Sequence, residues 1–250
     1  MTDTILQCEG LTRSFGALAA VNRLSFTVER GQVFGIAGPN GAGKTTLFNV
    51  LSGHVPPSSG TIRFNGRPIQ GFPPHRVCHQ GIARTFQLPL VFASGTVEEN
   101  VMVGGYFGRR GGFPGLGFDR ASKRRVAGAL AMTGLTDRRA TPANRLSVFD
   151  KKRLMIASAL ATEPAILMLD EPVGGLNHDE IDECVALIRR LNQTGVTILL
   201  IEHVMRALMT LSDRVLIMHA GEKLAEGTPE EIRRAPEVIR VYLGRQPGDE

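Results

Sequence analysis

The spacing of apolar residues changes twice along the chain, and the changes divide it into three stretches. Up to about residue 66 the spacing is that of strands: residues 5–11, 24–28, 33–37 and 61–64 are each short apolar or alternating runs. Leu24, Phe26 and Val28 alternate with Ser25 and Thr27, so this strand has one solvated face. The cluster Pro56-Pro57-Ser58-Ser59-Gly60 marks a turn before the fourth run. Residues 82–86 predict a further strand.

From residue 88 to about 163 the pattern becomes helical and irregular. Thr96-Val97-Glu98-Glu99 has the form of a capping box that opens a helix. Residues 104–117 are rich in Gly and aromatics and predict an irregular loop. Residues 121–132 predict a helix stopped by Gly134. The third stretch opens at Ile166-Leu167-Met168-Leu169, wholly apolar, the pattern of a parallel strand buried on both faces. Ile181, Cys184, Leu187, Ile188 and Leu191 then recur at helical spacing. A second apolar strand follows at 196–201, a helix through Val204, Ala207, Leu208 and Leu211, and a strand at 215–218 with Gly221 closing a hairpin. Short helices are expected at 229–235 and 236–243. The prediction is an α/β core interrupted by a helical insertion.

Chemistry enters at the end of the run 33–37. Gly38-Pro39-Asn40-Gly41-Ala42-Gly43-Lys44-Thr45 satisfies G-x-x-x-x-G-K-[ST] at every fixed position, with a strand before it and a helix, 45–51, after it. Such a loop turns backbone N–H groups around phosphate oxygens, and the helix behind it adds the partial positive charge of its N-terminus. The ligand class is therefore a nucleoside triphosphate with Mg²⁺. Lys44 is expected on the β- and γ-phosphates, and the Thr45 hydroxyl on the metal.

Two more polar groups sit just past apolar strands, where parallel sheets place ligand-binding groups. Asp170-Glu171 follows the run 166–169. Alone, an acidic pair there is a helix cap; beside a phosphate loop, Asp170 holds Mg²⁺ and Glu171 orients or deprotonates the attacking water. Glu202-His203 follows the run 196–201, and His203 is placed to sense the γ-phosphate.

Composition adjusts this picture little. No apolar run approaches the roughly 18 residues that span a bilayer, and the polar first ten residues, with Asp3 and Glu9, do not form a secretory signal. The expectation is a cytosolic chain held at a membrane, if at all, by other subunits. Cys8, Cys78 and Cys184 are far apart and include no C-x-x-C pair, so neither a zinc site nor a disulfide framework is expected. The net charge of +5 is mild. Its clusters, Lys123-Arg124-Arg125 and Lys151-Lys152-Arg153, are expected to be solvated helix faces, and no nucleic-acid partner is expected.

Taken together, these residues resemble the nucleotide-binding subunit of an ATP-binding-cassette (ABC) transporter, over residues 4–244. The stretch from Gly38 to Thr46 resembles the Walker A motif, and residues 166–171 the Walker B motif. Gln87, in Ala83-Arg84-Thr85-Phe86-Gln87, is similar to the Q-loop glutamine, which contacts Mg²⁺ and relays to membrane subunits. Gly174-Gly175-Leu176-Asn177 resembles the D-loop, His203 the switch histidine, and Phe15 the aromatic that stacks on adenine. Gly81-Ile82-Ala83-Arg84-Thr85-Phe86-Gln87, Ile201-Glu202-His203-Val204-Met205 and residues 221–232 are similar to branched-chain amino acid importer ATPases, in particular the larger of their two ATPases.

The resemblance implies a P-loop NTPase core with an N-terminal antiparallel β-subdomain, residues 1–87 and 164–250, and a helical signature subdomain at 88–163. It implies ATP and Mg²⁺ as ligands. The implied partners are a second ATPase subunit, with a heterodimer favoured over a homodimer, two membrane permeases, and indirectly a periplasmic binding protein. The implied location is the cytoplasmic face of the bacterial inner membrane. Residues 88–102, apolar and just after Gln87, are where permeases would be engaged.

One motif departs from the family. Where L-S-G-G-Q is common, this chain has Leu146-Ser147-Val148-Phe149-Asp150. Ser147 remains available to a γ-phosphate held by the opposite subunit. Phe149 is expected to add bulk where phosphate sits, and Asp150 a like charge at roughly 4–6 Å, costing a few kcal/mol. Either Lys151 or Lys152 swings in to restore the contact, or the signature is degenerate; sterics favour the second. The leading reading is the ATP-hydrolysing engine of an importer. The alternatives are a regulatory subunit with weak hydrolysis, or the ATPase of a urea, amide or lipopolysaccharide transport system. A chromosome or DNA-repair ATPase would carry long coiled-coil or zinc-binding insertions, and the sequence has none.

Overall fold

The computed structural model describes residues 3–108 and 120–243. Two compact units divide the chain: residues 1–73 with 197–250, and residues 74–196. The second unit holds residues 88–163 together with the short strands and helices on either side of them.

The first unit begins with strands β1 (Thr4–Phe15), β2 (Leu18–Glu29) and β3 (Val33–Ala37), helix α1 (Lys44–Leu51), and strands β4 (Ser59–Phe64) and β5 (Arg67–Pro68). Strands β2, β1, β4 and β5 form an antiparallel sheet in that order. In β2, Leu24, Phe26 and Val28 are buried and the residues between them exposed, as the alternation predicts.

The second unit, in chain order, comprises α2 (Pro74–Gln80), β6 (Ile82–Arg84), α3 (Val97–Phe107), α4 (Arg120–Thr133), α5 (Val148–Leu160), β7 (Ile166–Asp170) and α6 (His178–Gln193). Strands β6 and β7 are parallel, with Arg84 opposite Met168. Val97, Val101, Val126, Leu130, Leu146 and Leu154 form the centre of its helical core. The predicted capping box opens α3: the Glu99 N–H donates to Thr96 Oγ1 at 3.2 Å, and the Thr96 N–H donates to Glu99 Oε2 at 2.7 Å.

The loop expected at 104–117 needs correction: α3 continues through Phe107. Gly104 and Gly105 are packing residues. A Cβ on Gly104 would run into the Ser158 carbonyl of α5, and one on Gly105 would come within 2.9 Å of Val126 on α4. Residues 109–117 of that expectation lie outside the described residues.

The chain returns to the first unit through β8 (Thr197–Ile201), α7 (Met205–Leu211), β9 (Arg214–His219), β10 (Glu222–Gly227), α8 (Pro229–Arg234) and α9 (Pro236–Leu243). Here the order is β10-β9-β3-β8, with β3 parallel to both β9 and β8 and β10 antiparallel to β9. Strands β3 and β8 are buried at every position, as a parallel strand with both faces covered requires.

Candidate functional site

The phosphate loop leaves the C-terminal end of β3 and enters α1. Two of its glycines cannot be replaced without moving backbone. Gly43 takes φ +97, and a Cβ there would collide with the Ala20 carbonyl; Gly38, at φ +152, would collide with that of Met218. No side chain caps α1 and no acidic residue stands in its first turn, so its N–H groups keep their affinity for an anion. Lys44 is buried, and its Nζ donates to the carbonyls of Gly38 at 2.6 Å and Pro39 at 3.0 Å. Thr45 is exposed. His203 follows β8, whose Ile201 is in register with Ile36 of β3, so the imidazole and the loop leave the same end of adjacent strands. The 203 turn is fixed from inside: Glu202 is fully buried, and its Oε2 accepts from the N–H groups of His203 (3.0 Å) and Val204 (3.2 Å). Phe15 ends β1, 48% exposed, with the Arg13 guanidinium 4.5 Å from its ring centroid.

The second unit brings the acidic pair and Gln87 together. Asp170 ends β7, and Gln87 Nε2 donates to Glu171 Oε2 at 2.8 Å. Glu171 adopts φ +49, an unfavourable conformation for a residue with a Cβ. Its carbonyl accepts from the Lys152 ammonium of α5 at 2.8 Å and from the Gly174 N–H at 3.2 Å. Asp170 is 4% exposed, and its Oδ2 accepts from Arg84 Nη2 at 2.8 Å. Neither Arg84 nor Lys152 was assigned these contacts from sequence. For Arg84 the signal was present: a basic residue at the end of a short buried strand beside the Asp170 strand.

The signature segment differs from expectation. Ser147 caps α5, its Oγ accepting from the Asp150 N–H at 3.0 Å, and both Ser147 and Val148 are exposed. Phe149 does not project from the helix end. It is 6% exposed and faces inward, lining a small cavity with Thr133, Glu183 and Leu187, its ring 4.7 Å from the Arg153 guanidinium. Asp150 is 3% exposed and carries no unpaired charge. Its Oδ1 accepts from Arg153, through Nε at 3.1 Å and through Nη2, and its Oδ2 accepts from Arg138 Nη1. The reason is helical phase: with Ser147 as cap, positions 149, 153 and 156 share the inward face. The steric and electrostatic grounds for a degenerate signature are therefore removed. Rescue by Lys152 is likewise replaced, since its ammonium is held at Glu171. Nor are residues 151–153 a solvated face, because Lys152 is buried and Arg153 is paired.

Cys8, Cys78 and Cys184 form no disulfide among the described residues. Burial pushes the Cys8 and Cys78 thiols up, so neither is a ready nucleophile. Among the described residues no helix is long and apolar enough to cross a membrane.

A loop of this form, an acidic pair after a buried parallel strand and a capped helix at 147 define a class, and comparison with known proteins agrees. Residues 21–174 match the ABC transporter family model. The chain belongs to that family. Residues 222–247 match the model described as branched-chain amino acid ATP-binding cassette transporter. The chain is 43% identical to the high-affinity branched-chain amino acid transport ATP-binding protein BraF of Pseudomonas aeruginosa, covering 98% of this chain and 99% of that protein. It is 42% identical to LivG of Escherichia coli K12, at the same coverage. Among solved structures, a nucleotide-free ATP-binding cassette from an ABC transporter aligns with TM-score 0.87 and 30% identity, covering 97% of this chain and 100% of that one. The ADP conformation of MJ1267, an ATP-binding cassette of an ABC transporter, aligns with TM-score 0.87 and 29% identity, covering 97% and 99%. The fold is thus the α/β cassette of the P-loop NTPases, an ATP-hydrolysing type.

Proposed function

We propose that this chain is the ATP-binding and ATP-hydrolysing subunit of an importer for branched-chain amino acids. The cargo assignment is supported by the names of BraF and LivG and by the 222–247 match. The observation that carries the hydrolytic part is the Gln87–Glu171 hydrogen bond of 2.8 Å, one residue beyond the buried Asp170. It holds a carboxylate as an acceptor that can take a proton from water.

The backbone of Gly38, Pro39, Asn40, Gly41, Ala42 and Gly43 and the N-terminus of α1 bind the phosphates, with Thr46 beside them. Lys44 exchanges its two loop carbonyls for β- and γ-phosphate oxygens. Phe15 stacks on the adenine. His203 contacts the γ-phosphate, its turn fixed by Glu202. Glu171 orients and deprotonates the attacking water, and Gln87 keeps that carboxylate turned toward it. Ser147 serves the nucleotide held by the opposite subunit.

Mg²⁺ fits the donors present. The Thr45 hydroxyl is exposed, and among the described residues Oδ1 of Asp170 has no hydrogen-bond or ion-pair partner. Thr45, Gln87 and Asp170 would hold it, and when bound it neutralises charge on the transferring phosphoryl group.

The partners are a second, different ATPase subunit, two permeases and, through them, a periplasmic binding protein; the place is the cytoplasmic face of the inner membrane. Leu88, Leu90 and Phe92 are 74%, 68% and 63% exposed, a run of apolar surface that suits docking to permeases. Asn100 fixes this segment: its Oδ1 accepts from the Phe92 N–H at 2.7 Å, and its Nδ2 donates to the Phe92 carbonyl at 3.1 Å. The regulatory, weakly hydrolysing reading has lost its support, which was the supposed clash at Phe149 and Asp150.

The test is ATP binding and phosphate release by the chain assembled with its partners. Glu171→Gln should bind ATP normally and lose hydrolysis by about a hundredfold or more. Unchanged turnover in that variant would remove Glu171 as the base.

A further inference from the structure

We propose that Arg84 is a positioning residue for the metal-dependent step: its guanidinium holds Oδ2 of Asp170 and leaves Oδ1 as the one carboxylate oxygen open to hydrated Mg²⁺. The inference rests on the Mg²⁺–ATP reading above and adds a residue to it.

The two strands supply the geometry. Arg84 ends β6 in register with Met168, two residues before Asp170 ends β7. The Thr85 N–H continues the pairing to the Met168 carbonyl at 2.9 Å, so the Arg84 backbone is fixed on both sides. The side chains meet at 2.8 Å, each only 5% exposed. The guanidinium also lies 5.0 Å from the centroid of the Phe86 ring, which restrains its plane.

Burial makes the contact consequential. A buried carboxylate with no donor to hold it turns out toward solvent or settles in several rotamers. Arg84 fixes it in one, and because it takes one oxygen only, it does not use up the group. Its positive charge also weakens the direct attraction of Asp170 for a divalent cation. The two effects have opposite signs, and the fixed orientation outweighs the repulsion: without Arg84, Mg²⁺ is held less well.

The experiment measures equilibrium ATP binding against free Mg²⁺ in the full chain, with and without EDTA. In Arg84→Gln the half-saturating Mg²⁺ concentration should rise by about tenfold, the usual size of an outer-shell effect on metal affinity. ATP binding in EDTA should stay as in the wild type. Arg84→Lys keeps a cation but not the planar fork, so it should show a smaller rise. Circular dichroism melts establish that each variant is folded; if R84Q does not fold, R84K decides. An unchanged or lower Mg²⁺ requirement in a folded variant overturns the proposal while leaving the nucleotide reading intact. Failure of the wild type to bind ATP at any Mg²⁺ concentration overturns both.

Discussion

Asp150 and Asp170 lie in the same unit and are equally buried, at 3% and 4% exposure. Yet their surroundings differ in one respect that decides what each can do. Asp150 is saturated: Arg153 occupies one oxygen and Arg138 the other. Among the described residues Asp170 is half satisfied, with Arg84 on Oδ2 alone. A buried carboxylate with a cationic donor on each oxygen is a structural group. One with a vacant oxygen at the end of a parallel strand retains capacity for a ligand. The count of donors, rather than burial or charge, separates them.

The largest effect should come from attacking the open carboxylate. Asp170→Asn should cut ATP hydrolysis by about a hundredfold or more, measured as phosphate release at saturating Mg²⁺. The contrast would break if Asp170→Asn were as active as the wild type. Asp150→Ala should act on stability instead. It strands Arg138 and Arg153, and because Arg138 is 54% exposed the loss should be about 2 kcal/mol, below that of a fully buried pair. Urea unfolding measures it, and the Mg²⁺ requirement of the folded protein should not move.

Lys152→Met tests the backbone that follows the open carboxylate. Removing the donor to the Glu171 carbonyl should cost about 1 kcal/mol and slow hydrolysis while sparing ATP binding. Turnover equal to wild type would show that the α5 contact does nothing for Glu171. The smallest effects belong to exposed carboxylates, which set the baseline for the buried ones. Hydrogen bonds from the Thr96 backbone and hydroxyl lower the Glu99 carboxyl below its usual range, and Thr228 does the same for Glu231. Groups lowered on folding stabilise fully above about pH 4.3, and that contribution disappears as the pH falls through their lowered values. Thermal melts at acidic pH should therefore show a Thr96→Ala variant losing less on acidification than the wild type.

Much of this was legible in the sequence because the signals were of two strong kinds. Apolar runs such as 33–37 and 166–169 gave the buried strands to within a residue. The phosphate loop gave its own ligand class. What failed was direction and contact. Phe149 and Asp150 were known by type, but whether a side chain points at a ligand or into the core depends on where the helix starts, and Ser147 sets that phase. Helix α2 gave no periodic signal because Val77 is its only buried residue. Gly104 and Gly105 suggested a loop, since composition cannot separate a glycine chosen for backbone freedom from one chosen for having no side chain. Arg84 needed its neighbour: only the pairing of β6 with β7 shows that it meets Asp170.

The glycine at 104 has a mechanical consequence. Where it abuts the Ser158 carbonyl, α3 meets α5 main chain to main chain, with no rotamers between them to bend or reshuffle. Side chains act as springs at most helix contacts; at this one point there is none between the two main chains. A push on the apolar segment ahead of α3 would arrive at the helix behind Ser147 nearly undiminished, as through a rod and not a cushion.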